Sequence, residues 1–585
     1  MNGNPARRRS VVTGIGAVTA AGTAVNLALV VASARNPWGA TRFTLFDDAM
    51  ISMSYARTLA ETGSLVWFDG APRVQGFTNP LWTLFMTLIH LLGFEGSTAA
   101  LVVALTGVAV LSLLAWTAGS VVRSVLPTES ELVGSVTAAT VFLLFPTSYW
   151  TLRGMEVGVV ALAAVTLLRL NCGPGDARRV AQWGAPMTAI GGVLTRFDFV
   201  IVAVIVALVA FLWPNDPPRR RVAALTGVSA GAAAGASLLV QLAYYGSALP
   251  TTYTLKMSGT GLIERATRGT LASAEMIPAI FLSIVALIVV RRRNDSRSLI
   301  VSAAALAFLA MCAYSVYVGG DAWENDMPGR FHASVLPLVV VAASCAFGDR
   351  SVIRKLATLR WIVPIACSLG AVGAGVLVNP SGFALDRTVT VTIAVGMTTW
   401  AFWWASSRRV PRVRPASILP VVTAALLIVP ASVSVQPFGR LMSQRDPMGA
   451  RTNLWVTTNV ETLTTVIDPA ATVATVWAGV PAYYGRWKMI DLLGKNDPVI
   501  ASSNPRAPFF PGHDKWDYDH SVRSLNPDVV FQVFSRDPTE DIPAKLAAWG
   551  YERLCLTTGK FSADGAWFLR RSPRVRHDLL TPCGT

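Results

Sequence analysis

The chain has 585 residues, of which 52% are hydrophobic and only 14% are charged. Soluble globular proteins carry about 25% charged residues, and a mean hydropathy of +0.48 indicates that much of this chain lies in lipid. The net charge of +16 does not indicate nucleic-acid binding, because the basic residues fall in short clusters between long apolar runs. Six cysteines without a CxxC pair exclude a disulfide-dense scaffold and a zinc ribbon. The composition predicts an integral membrane protein with no nucleic-acid partner.

The apolar runs predict about thirteen membrane-spanning helices, since one span needs roughly 20 mostly apolar residues. Two short runs, 181–195 and 198–213, predict a hairpin of half-length helices. The interrupted stretch 80–94 predicts a helix that lies on the membrane face. In chain order, the predicted spans lie near residues 11–33, 97–122, 132–150, 157–170, 181–195, 198–213, 221–245, 272–290, 298–318, 333–347, 359–378, 387–405 and 417–434.

Clusters of arginine and lysine predict the orientation, because cytoplasmic loops of membrane proteins are enriched in both residues. With thirteen spans, every cluster falls on the side of the N-terminus, which is therefore predicted to be cytoplasmic. The first apolar run is longer than the apolar part of a usual signal peptide, so we interpret it as a membrane anchor. The clusters are Arg7–Arg9, Arg178–Arg179, Arg219–Arg221, Arg291–Arg293, Arg350 to Arg360 and Arg408 to Arg414.

The composition changes after residue 434. Residues 435–585 contain no further span, and the odd number of spans places them outside the cell. We therefore predict a transmembrane domain over 1–434 and an extracytoplasmic α/β domain over 435–585. The two cysteines of this second domain, Cys555 and Cys583, are predicted to form a disulfide. The segment Pro543–Gly550 predicts a helix, and short apolar runs predict strands at Thr472–Val476, Met489–Leu493, Val529–Phe534 and Trp567–Leu569.

Two adjacent carboxylates, Asp47 and Asp48, follow the first span. Charged groups beside a membrane helix are costly unless they have a function. Mutual repulsion of two neighbouring carboxylates raises the pKa of one of them, which suits acid–base chemistry. The other interpretation is that one of the two caps a helix by accepting hydrogen bonds from backbone N–H groups.

The other outward loops hold further charged and aromatic side chains at a similar depth. Single pairs, such as Arg153 with Glu156 or Arg196 with Asp198, have a simpler interpretation as ion pairs that anchor helix ends. Taken together, the loops predict an outward-opening site for an anionic, lipid-attached substrate, in which arginine binds phosphate through two hydrogen bonds. The residues are Arg153, Glu156, Arg196, Asp198, Tyr244, Tyr245, Lys256, Asp321, Glu324, Asp326, Arg330 and His332.

Short strings of residues along the chain resemble, in the same order, those of the GT-C glycosyltransferases, which are multi-span enzymes that use polyprenyl-phosphate sugars. The resemblance covers nearly the whole chain, and the subgroup that it resembles most is the mycobacterial terminal β-(1→2) arabinofuranosyltransferase. The chain departs from the common pattern of these enzymes at Arg196-Phe197-Asp198, at Pro250-Thr251-Thr252 and in the insert Trp323–Asp326. These departures bear on the identity of the sugar and the acceptor more than on the reaction class. The strings are Phe46–Ser52, Tyr55–Arg57, Gly76–Trp82, Gly154–Glu156, Tyr245-Gly246, Pro250–Tyr253 with Lys256, Gly319–Asp321, Arg330-Phe331, Ile490–Gly494, Asn496-Asp497 and Gly512–Lys515.

The resemblance implies transfer of arabinofuranose from decaprenyl-phosphoryl arabinose to a cell-wall arabinan, on the outer face of the plasma membrane. The alternatives are a lipid-linked glycan flippase or transporter, a non-catalytic glycan-binding scaffold, and a GT-C enzyme that uses another polyprenyl-phosphate sugar, such as mannose. No cofactor is expected, although Asp47, Asp48 and Asp321 have the oxygen ligands that a divalent metal prefers.

The resemblance also implies the roles of individual residues. An acidic residue of the first outer loop is the catalytic group in GT-C enzymes, which assigns Asp47 as base or nucleophile, with Asp48 beside it. The residues predicted to bind the donor are Arg330, His332, Lys256, Arg196, Tyr245, Asp321, Glu156 and Arg153. The residues predicted to bind the acceptor are Trp477, Tyr484, His513 and Lys515.

Overall fold

A computed structural model describes residues 5–126, 130–174, 178–214, 216–291, 293–324, 327–348, 418–556 and 566–583. The predicted spans near 359–378 and 387–405, the basic clusters at 350–360 and 408–414, and Asp326 lie outside the described residues.

The first 443 residues are helical wherever the structure describes regular elements. The helices as far as residue 245 are α1 (Pro5–Ser33), α2 (Asp47–Thr62), α3 (Pro80–Leu91), α4 (Gly96–Val125), α5 (Ser130–Leu143), α6 (Phe145–Leu152), α7 (Val157–Cys172), α8 (Arg178–Thr195), α9 (Phe199–Leu212) and α10 (Pro217–Tyr245). They are followed by α11 (Thr251–Met257), α12 (Leu262–Ala272), α13 (Ile277–Val290), α14 (Ser296–Val318), α15 (Arg330–Ala333), α16 (Leu336–Phe347), α17 (Ile418–Val433) and α18 (Val435–Ser443).

In the part of the chain that the structure describes, four helices are long and apolar enough to cross a membrane, namely residues 14–33 of α1 and the whole of α4, α10 and α14. Three bent pairs, α5–α6, α12–α13 and α17–α18, raise this number to seven if each pair is one span. The predicted fold class, an α-helical polytopic protein followed by an α/β unit, is confirmed. Within the described residues, the structure supports fewer spans than the sequence predicted there. Helices α7, α9 and α16 have only 12 to 16 residues, which is short for a helix that crosses a membrane.

Proline explains one of the bends. The predicted span near 132–150 is broken between α5 and α6, which meet at an angle of 57°. Pro146 lies in the first turn of α6, where its missing N–H costs nothing, whereas a continuous helix would need that hydrogen bond. The predicted hairpin is present as α8 and α9, which are joined by Arg196-Phe197-Asp198.

Helix α3 corresponds to the stretch that we predicted to lie on the membrane face. Leu81, Leu84, Leu88 and Leu91 are 39–65% exposed, and their spacing of three and four residues places them on one side of the helix. An uncovered apolar stripe of this kind suits a helix at a membrane surface. That location stays a prediction.

The C-terminal unit is built around one six-stranded mixed sheet of order β2-β1-β3-β5-β4-β6. Strand β1 is parallel to β2 and β3, and the other pairs are antiparallel. The strands are β1 (Thr472–Thr475), β2 (Lys488–Asp491), β3 (Val529–Val530), β4 (Tyr551–Leu556), β5 (Ala566–Leu569) and β6 (Leu580–Pro582). The helices of this unit are α19 (Arg451–Leu463), α20 (Val480–Gly485), α21 (Pro498–Ser502) and α22 (Ile542–Ala548), with a π-helical turn at Asp519–Ser524.

The sheet is covered on both faces, as the alternation of side chains along β1 shows. Val473 belongs to the core that continues into the helical part, and its neighbour Ala474 belongs to a second core on the other side of the sheet. Strands β4 and β6 were not predicted. Charged Glu552 and Arg553 interrupt the apolar pattern of β4, and β6 has only three residues.

The predicted helix at 543–550 is present as α22, where Asp541 accepts a hydrogen bond from the backbone N–H of Ala544 and Pro543 occupies the first turn. The boundary between domains at residue 434 stays a prediction.

Cys555 in β4 is joined to Cys583, just beyond β6, by a disulfide bond. The two residues are 28 positions apart in sequence. We expect that replacing both with serine lowers the free energy of unfolding of the C-terminal unit by about 3–4 kcal/mol, because the bridge restricts the unfolded chain. Denaturant unfolding of the two proteins measures this difference. Labelling of either cysteine by maleimide in denatured, non-reduced protein would contradict the pairing.

Candidate active site

A cavity of about 390 Å³ lies between loops of the helical part and two loops of the C-terminal sheet. Its walls include the start of α2, the segment 75–80, the turn between α8 and α9, helix α11, the end of α14 with residues 321–323, and the start of α15. The structure therefore brings together residues from widely separated parts of the sequence. The charged residues and the histidine that line the cavity are Asp48, Glu156, Arg196, Asp198, Lys256, Asp321, Arg330, Lys495 and His513.

Asp48 lies at the centre of an ion-pair network. One carboxylate oxygen accepts a hydrogen bond from Arg330 Nη1 at 2.7 Å, and the other accepts from Lys495 Nζ, also at 2.7 Å. The remaining guanidinium nitrogens of Arg330, Nε and Nη2, donate to the two oxygens of Asp321 at 2.7 and 2.9 Å. Two carboxylates and two cations thus alternate along one wall of the cavity.

The pKa values show why this network is charged at neutral pH. Burial alone would raise the pKa of Asp48, but Lys495 and Arg330 outweigh burial and hold that pKa well below its usual value. The pKa of Asp321 is lowered in the same way, because Arg330 and Lys256 outweigh its burial. The pKa of Lys495 is raised, since attraction to Asp48 exceeds the cost of burial.

Asp47 does not line the cavity, so the predicted role of base or nucleophile is not supported by its position. Its carboxylate accepts hydrogen bonds from the backbone N–H groups of Gly479 and Val480, at 3.2 and 2.8 Å, and so caps the first turn of α20. Burial raises the pKa of Asp47 to about 6, although Lys495 and these backbone bonds lower it in part. The capping interpretation of the acidic pair therefore applies to Asp47, and Asp48 is the residue that reaches the cavity.

Arg153 positions the start of α2 from outside the cavity. Its guanidinium donates to the carbonyl of Thr44 at 2.8 Å and also to Leu45 and Asn453. Its own carbonyl accepts from the backbone N–H of Phe46, the residue that precedes α2. Arg153 is only 1% exposed and does not line the cavity, so its position does not support the predicted contact with a donor, and its hydrogen bonds hold the loop that precedes Asp48.

Two further residues of the predicted donor set lie outside the cavity. His332 is fully buried, and its Nε2 lies 3.3 Å from Ser273 Oγ. The hydroxyl of Tyr245 donates to the carbonyl of Leu65, and its ring packs against Phe77. Both side chains make their contacts within the protein, and neither lines the cavity.

Arg196 and Glu156 line the cavity as one charged group. Arg196 donates to Asp198 through Nε at 3.0 Å and lies 3.3 Å from Glu156. Glu156 also accepts from Asn79 Nδ2 at 2.8 Å. These contacts agree with the simpler interpretation of Arg196 and Asp198, an ion pair that anchors the turn between α8 and α9. The group leaves no uncompensated positive charge.

Lys256 differs from the other cations of the cavity. Within the described part of the chain it has no ion pair, and its ammonium group lies 5.8 Å from the ring centroid of Phe331. Burial lowers the pKa of Lys256, although Asp321 raises it in part. A half-buried cation without a partner is a binding position for an anion, since a phosphate would supply the missing charge-assisted hydrogen bonds.

One predicted acceptor residue lines the cavity and three do not. The ring of His513 lies on the cavity wall, where its edge meets Trp323. Lys515 is fully buried and donates to the carbonyl of Ala501. Trp477 and Tyr484 pack against the main core. The predicted acceptor contacts of Lys515, Trp477 and Tyr484 are therefore not supported by their positions.

Lys495 is a site residue that the sequence analysis missed. It follows the predicted strand and the turn Asp491-Leu492-Leu493-Gly494. Its neighbours on both sides belong to the strings that resemble the GT-C enzymes, whereas Lys495 does not. The signal in the sequence was a basic residue that directly follows Gly494, in the turn after Asp491. Its partner Asp48 lies 447 residues earlier, so no local pattern connects the two.

Apolar side chains also line the cavity. They come from α8, α9, α10 and α14, and include Val193, Ile201, Leu238 and Val318. Helices α10 and α14 are both candidate membrane spans. Within the residues that the structure describes, no group of three or more His, Cys, Asp and Glu side chains is arranged to hold a metal ion.

Residues 443–572 match a family model described as a domain of unknown function, DUF8728. No curated protein matches the chain. Among solved structures, the chain is similar to ArnT from Cupriavidus metallidurans in the apo state, with 13% identity, a TM-score of 0.46 and coverage of 83% of this chain and 87% of that one.

The chain is also similar to the same ArnT bound to undecaprenyl phosphate, with 12% identity, a TM-score of 0.45 and coverage of 84% and 88%. A third similar structure is the oligosaccharyltransferase AglB from Archaeoglobus fulgidus in complex with an inhibitory peptide and a dolichol-phosphate, with 12% identity, a TM-score of 0.45 and coverage of 95% and 74%.

Proposed function

We propose that the protein is a membrane glycosyltransferase that moves a sugar from a polyprenyl-phosphate carrier to an acceptor on the outer face of the membrane. The sugar is arabinofuranose, the carrier is decaprenyl phosphate, and the acceptor is a cell-wall arabinan. One observation carries the proposal. The ionised carboxylate of Asp48 lines the same cavity as the ammonium group of Lys256, which has no ion pair within the described residues, and apolar side chains line this cavity as well.

The lining of the cavity suits a donor with one polar and one apolar part. A polyprenyl chain needs an apolar path that is continuous with lipid, and α8, α9, α10 and α14 provide apolar side chains to the cavity, two of these helices being candidate spans. The phosphate and the sugar would then lie beside the charged side chains. A soluble nucleotide sugar would have no use for the apolar side chains.

Lys256 is the best candidate for the phosphate ligand. Arg330 is also in the predicted donor set, but Asp321 and Asp48 already occupy its guanidinium group. Lys256 has no such partner within the described residues.

The reaction is a displacement at the anomeric carbon of the sugar. The bond between this carbon and the phosphate oxygen breaks, and its electron pair remains on the phosphate. The hydroxyl oxygen of the acceptor forms the new bond, and the hydroxyl proton passes to Asp48. Negative charge therefore develops on the phosphate beside Lys256, where a fixed cation stabilises the transition state.

His513 is the residue of the predicted acceptor set that can contact an acceptor from the cavity wall. Burial lowers the pKa of His513 to about 4, with Lys495 adding to the effect. The ring is therefore neutral at pH 7 and can exchange a hydrogen bond with a sugar hydroxyl without bringing a competing charge to the phosphate.

We expect Lys256→Met to weaken donor binding by about 10- to 100-fold, the value of one charge-assisted hydrogen bond. Stability should be unchanged or higher, because the variant removes a desolvated cation that has no ion pair. Donor affinity and thermal unfolding are measured on the same preparations. Arg196→Met is the matched control, since it breaks two ion pairs and should lower stability. Wild-type donor affinity in Lys256→Met would exclude Lys256 as the phosphate ligand.

The sugar is tested with purified protein and a panel of synthetic polyprenyl phosphates that carry arabinofuranose, mannose or glucose, each offered with an arabinan oligosaccharide. The proposal predicts transfer from the arabinose donor at a kcat/KM at least about 10-fold above the others. Preferred transfer of mannose would keep the reaction class and exclude the arabinose assignment. Passage of the intact lipid-linked sugar across a vesicle membrane, without cleavage, would favour the transporter.

A further inference from the structure

In the structure, Asp48 is a weak base. Both of its oxygens are hydrogen-bonded to cations, Arg330 on one side and Lys495 on the other. Each oxygen still has a second lone pair, but the two cations reduce the basicity of the carboxylate, as the lowered pKa of Asp48 shows. Departure of one cation when substrate is present would restore basicity to Asp48 and so favour a catalytic role.

The two cations are held very differently. Arg330 is fixed by two hydrogen bonds to Asp321 and offers Asp48 only its third nitrogen. Within the described part of the chain, Lys495 Nζ has a single hydrogen bond, the one to Asp48. A lysine is a point charge on a flexible four-carbon stem, whereas the planar fork of arginine is rigid. Lys495 is therefore the cation that can change partners.

The backbone that carries Lys495 is firmly anchored on both sides. Asp491, the last residue of β2, accepts from the backbone N–H groups of Leu493, Gly494 and Asn496. Asn496 in turn accepts from the hydroxyl of Tyr55 in α2. Gly494 has a positive φ of 79°, which lets the chain turn tightly before Lys495. The loop holds the lysine at the cavity, and only the side chain needs to move.

We propose that Lys495 is an exchangeable counter-ion, which neutralises Asp48 in the empty site and moves to the phosphate when the lipid-linked donor binds. The exchange frees one oxygen of Asp48 for the acceptor hydroxyl and places a second cation, beside Lys256, on the leaving group. Binding of the donor and activation of the base thus become one event. This inference rests on the proposed function, and it makes the C-terminal α/β unit a contributor to the catalytic site.

The charge change of the reaction favours the exchange. The donor phosphate is a diester with one negative charge, and cleavage of the glycosidic bond makes it a monoester with a charge between −1.5 and −2 at pH 7 by the usual second pKa of about 6. Asp48 loses negative charge when it accepts the proton. Attraction for Lys495 therefore shifts from Asp48 to the phosphate as the reaction proceeds.

The test compares Lys495→Ala and Lys495→Arg with the wild type and with Lys488→Ala, a matched control at an exposed position at the start of β2. Affinity for decaprenyl phosphate without sugar, kcat and KM for the donor, and thermal stability are measured for each. We expect Lys495→Ala to lose about 10- to 100-fold in affinity for decaprenyl phosphate and a similar factor in kcat/KM. Lys495→Arg should recover most of the affinity, and Lys488→Ala should match the wild type.

Wild-type affinity for decaprenyl phosphate in Lys495→Ala, together with a lowered melting temperature, would show that Lys495 is only a structural partner of Asp48. If the variant does not fold, a structure of the wild type with decaprenyl phosphate decides the matter. The exchange predicts Lys495 Nζ within about 3 Å of a phosphate oxygen, and an unbroken bond to Asp48 overturns it. If the wild type neither binds decaprenyl phosphate nor transfers sugar, the proposed function itself fails.

Discussion

Asp48→Asn should lower kcat at least about 10²-fold while the protein still binds the donor. The amide keeps the size of the side chain but cannot accept a proton from the acceptor hydroxyl, and general-base catalysis is worth about 10²–10⁴-fold. The loss should appear in kcat rather than in KM, because Asp48 faces the acceptor and not the phosphate. Steady-state kinetics with a synthetic donor measures both constants, and donor affinity is determined separately.

Asp47→Asn is the matched control for this variant, since it makes the same chemical change one residue away. Its side-chain oxygen can still accept from the backbone N–H of Val480, so we expect kcat within about 10-fold of the wild type. The cost should be about 1 kcal/mol of stability, the usual value of a cap. Loss of activity in Asp47→Asn with normal activity in Asp48→Asn would return the catalytic role to Asp47.

Arg330→Ala should be the most destabilising of the single substitutions considered for the site. It leaves the buried carboxylate of Asp321 and the half-buried carboxylate of Asp48 without their shared cation. Breaking a buried ion pair by removing one partner costs about 3–5 kcal/mol. Arg330→Lys should be intermediate, because it keeps the charge but cannot bind both oxygens of Asp321 while also reaching Asp48.

The pH dependence separates this electrostatic effect from loss of packing. The pKa of Asp321 is lowered in the folded protein, so its ion pair stabilises the fold at pH values above the ordinary carboxyl pKa of 3.8. That contribution is lost as the pH falls. The difference in melting temperature between wild type and Arg330→Ala should therefore be constant from pH 7 to about pH 5 and become smaller below about pH 4. An equal difference at about pH 7 and about pH 3 would indicate lost packing instead.

The sequence was sufficient for the parts of the fold that follow from local patterns. Apolar length predicted the long helices, the short runs at 181–195 and 198–213 predicted the hairpin α8–α9, and strand patterns predicted β1, β2, β3 and β5 approximately. The pattern of β4 was hidden, because the consecutive charged residues Glu552 and Arg553 interrupt its apolar side chains. Proline at the start of α6 marked a bend that apolar length alone does not reveal.

The sequence predicted many of the residues that form the site, but not the direction in which each side chain points. The outward loops that hold Glu156, Lys256, Asp321 and Arg330 were identified from charge, and these residues do meet at one cavity. The choice between Asp47 and Asp48 was beyond the sequence. Consecutive residues of a helix point about 100° apart, and which of them faces the cavity depends on where Gly479 and Val480 pack against α2.

Long-range packing decided the other differences. Arg153 and Glu156 are three residues apart, yet Glu156 lines the cavity and Arg153 binds the loop before α2. Lys495 enters the site from the C-terminal sheet, because the turn after β2 faces the start of α2. Both outcomes depend on how the sheet sits on the helices, which no local pattern determines.

Transfer by the purified protein is the most direct test of the central claim that this cavity cleaves a polyprenyl-phosphate sugar. Wild type and Asp48→Asn are incubated with synthetic decaprenyl-phosphoryl arabinose and an arabinan oligosaccharide, and released decaprenyl phosphate and extended oligosaccharide are both quantified. We expect the wild type to produce the two in a one-to-one ratio and Asp48→Asn to produce neither at a measurable rate. Equal product from the two proteins, or no product from a folded wild type that binds the donor, would contradict the assignment of this cavity as a glycosyltransferase active site.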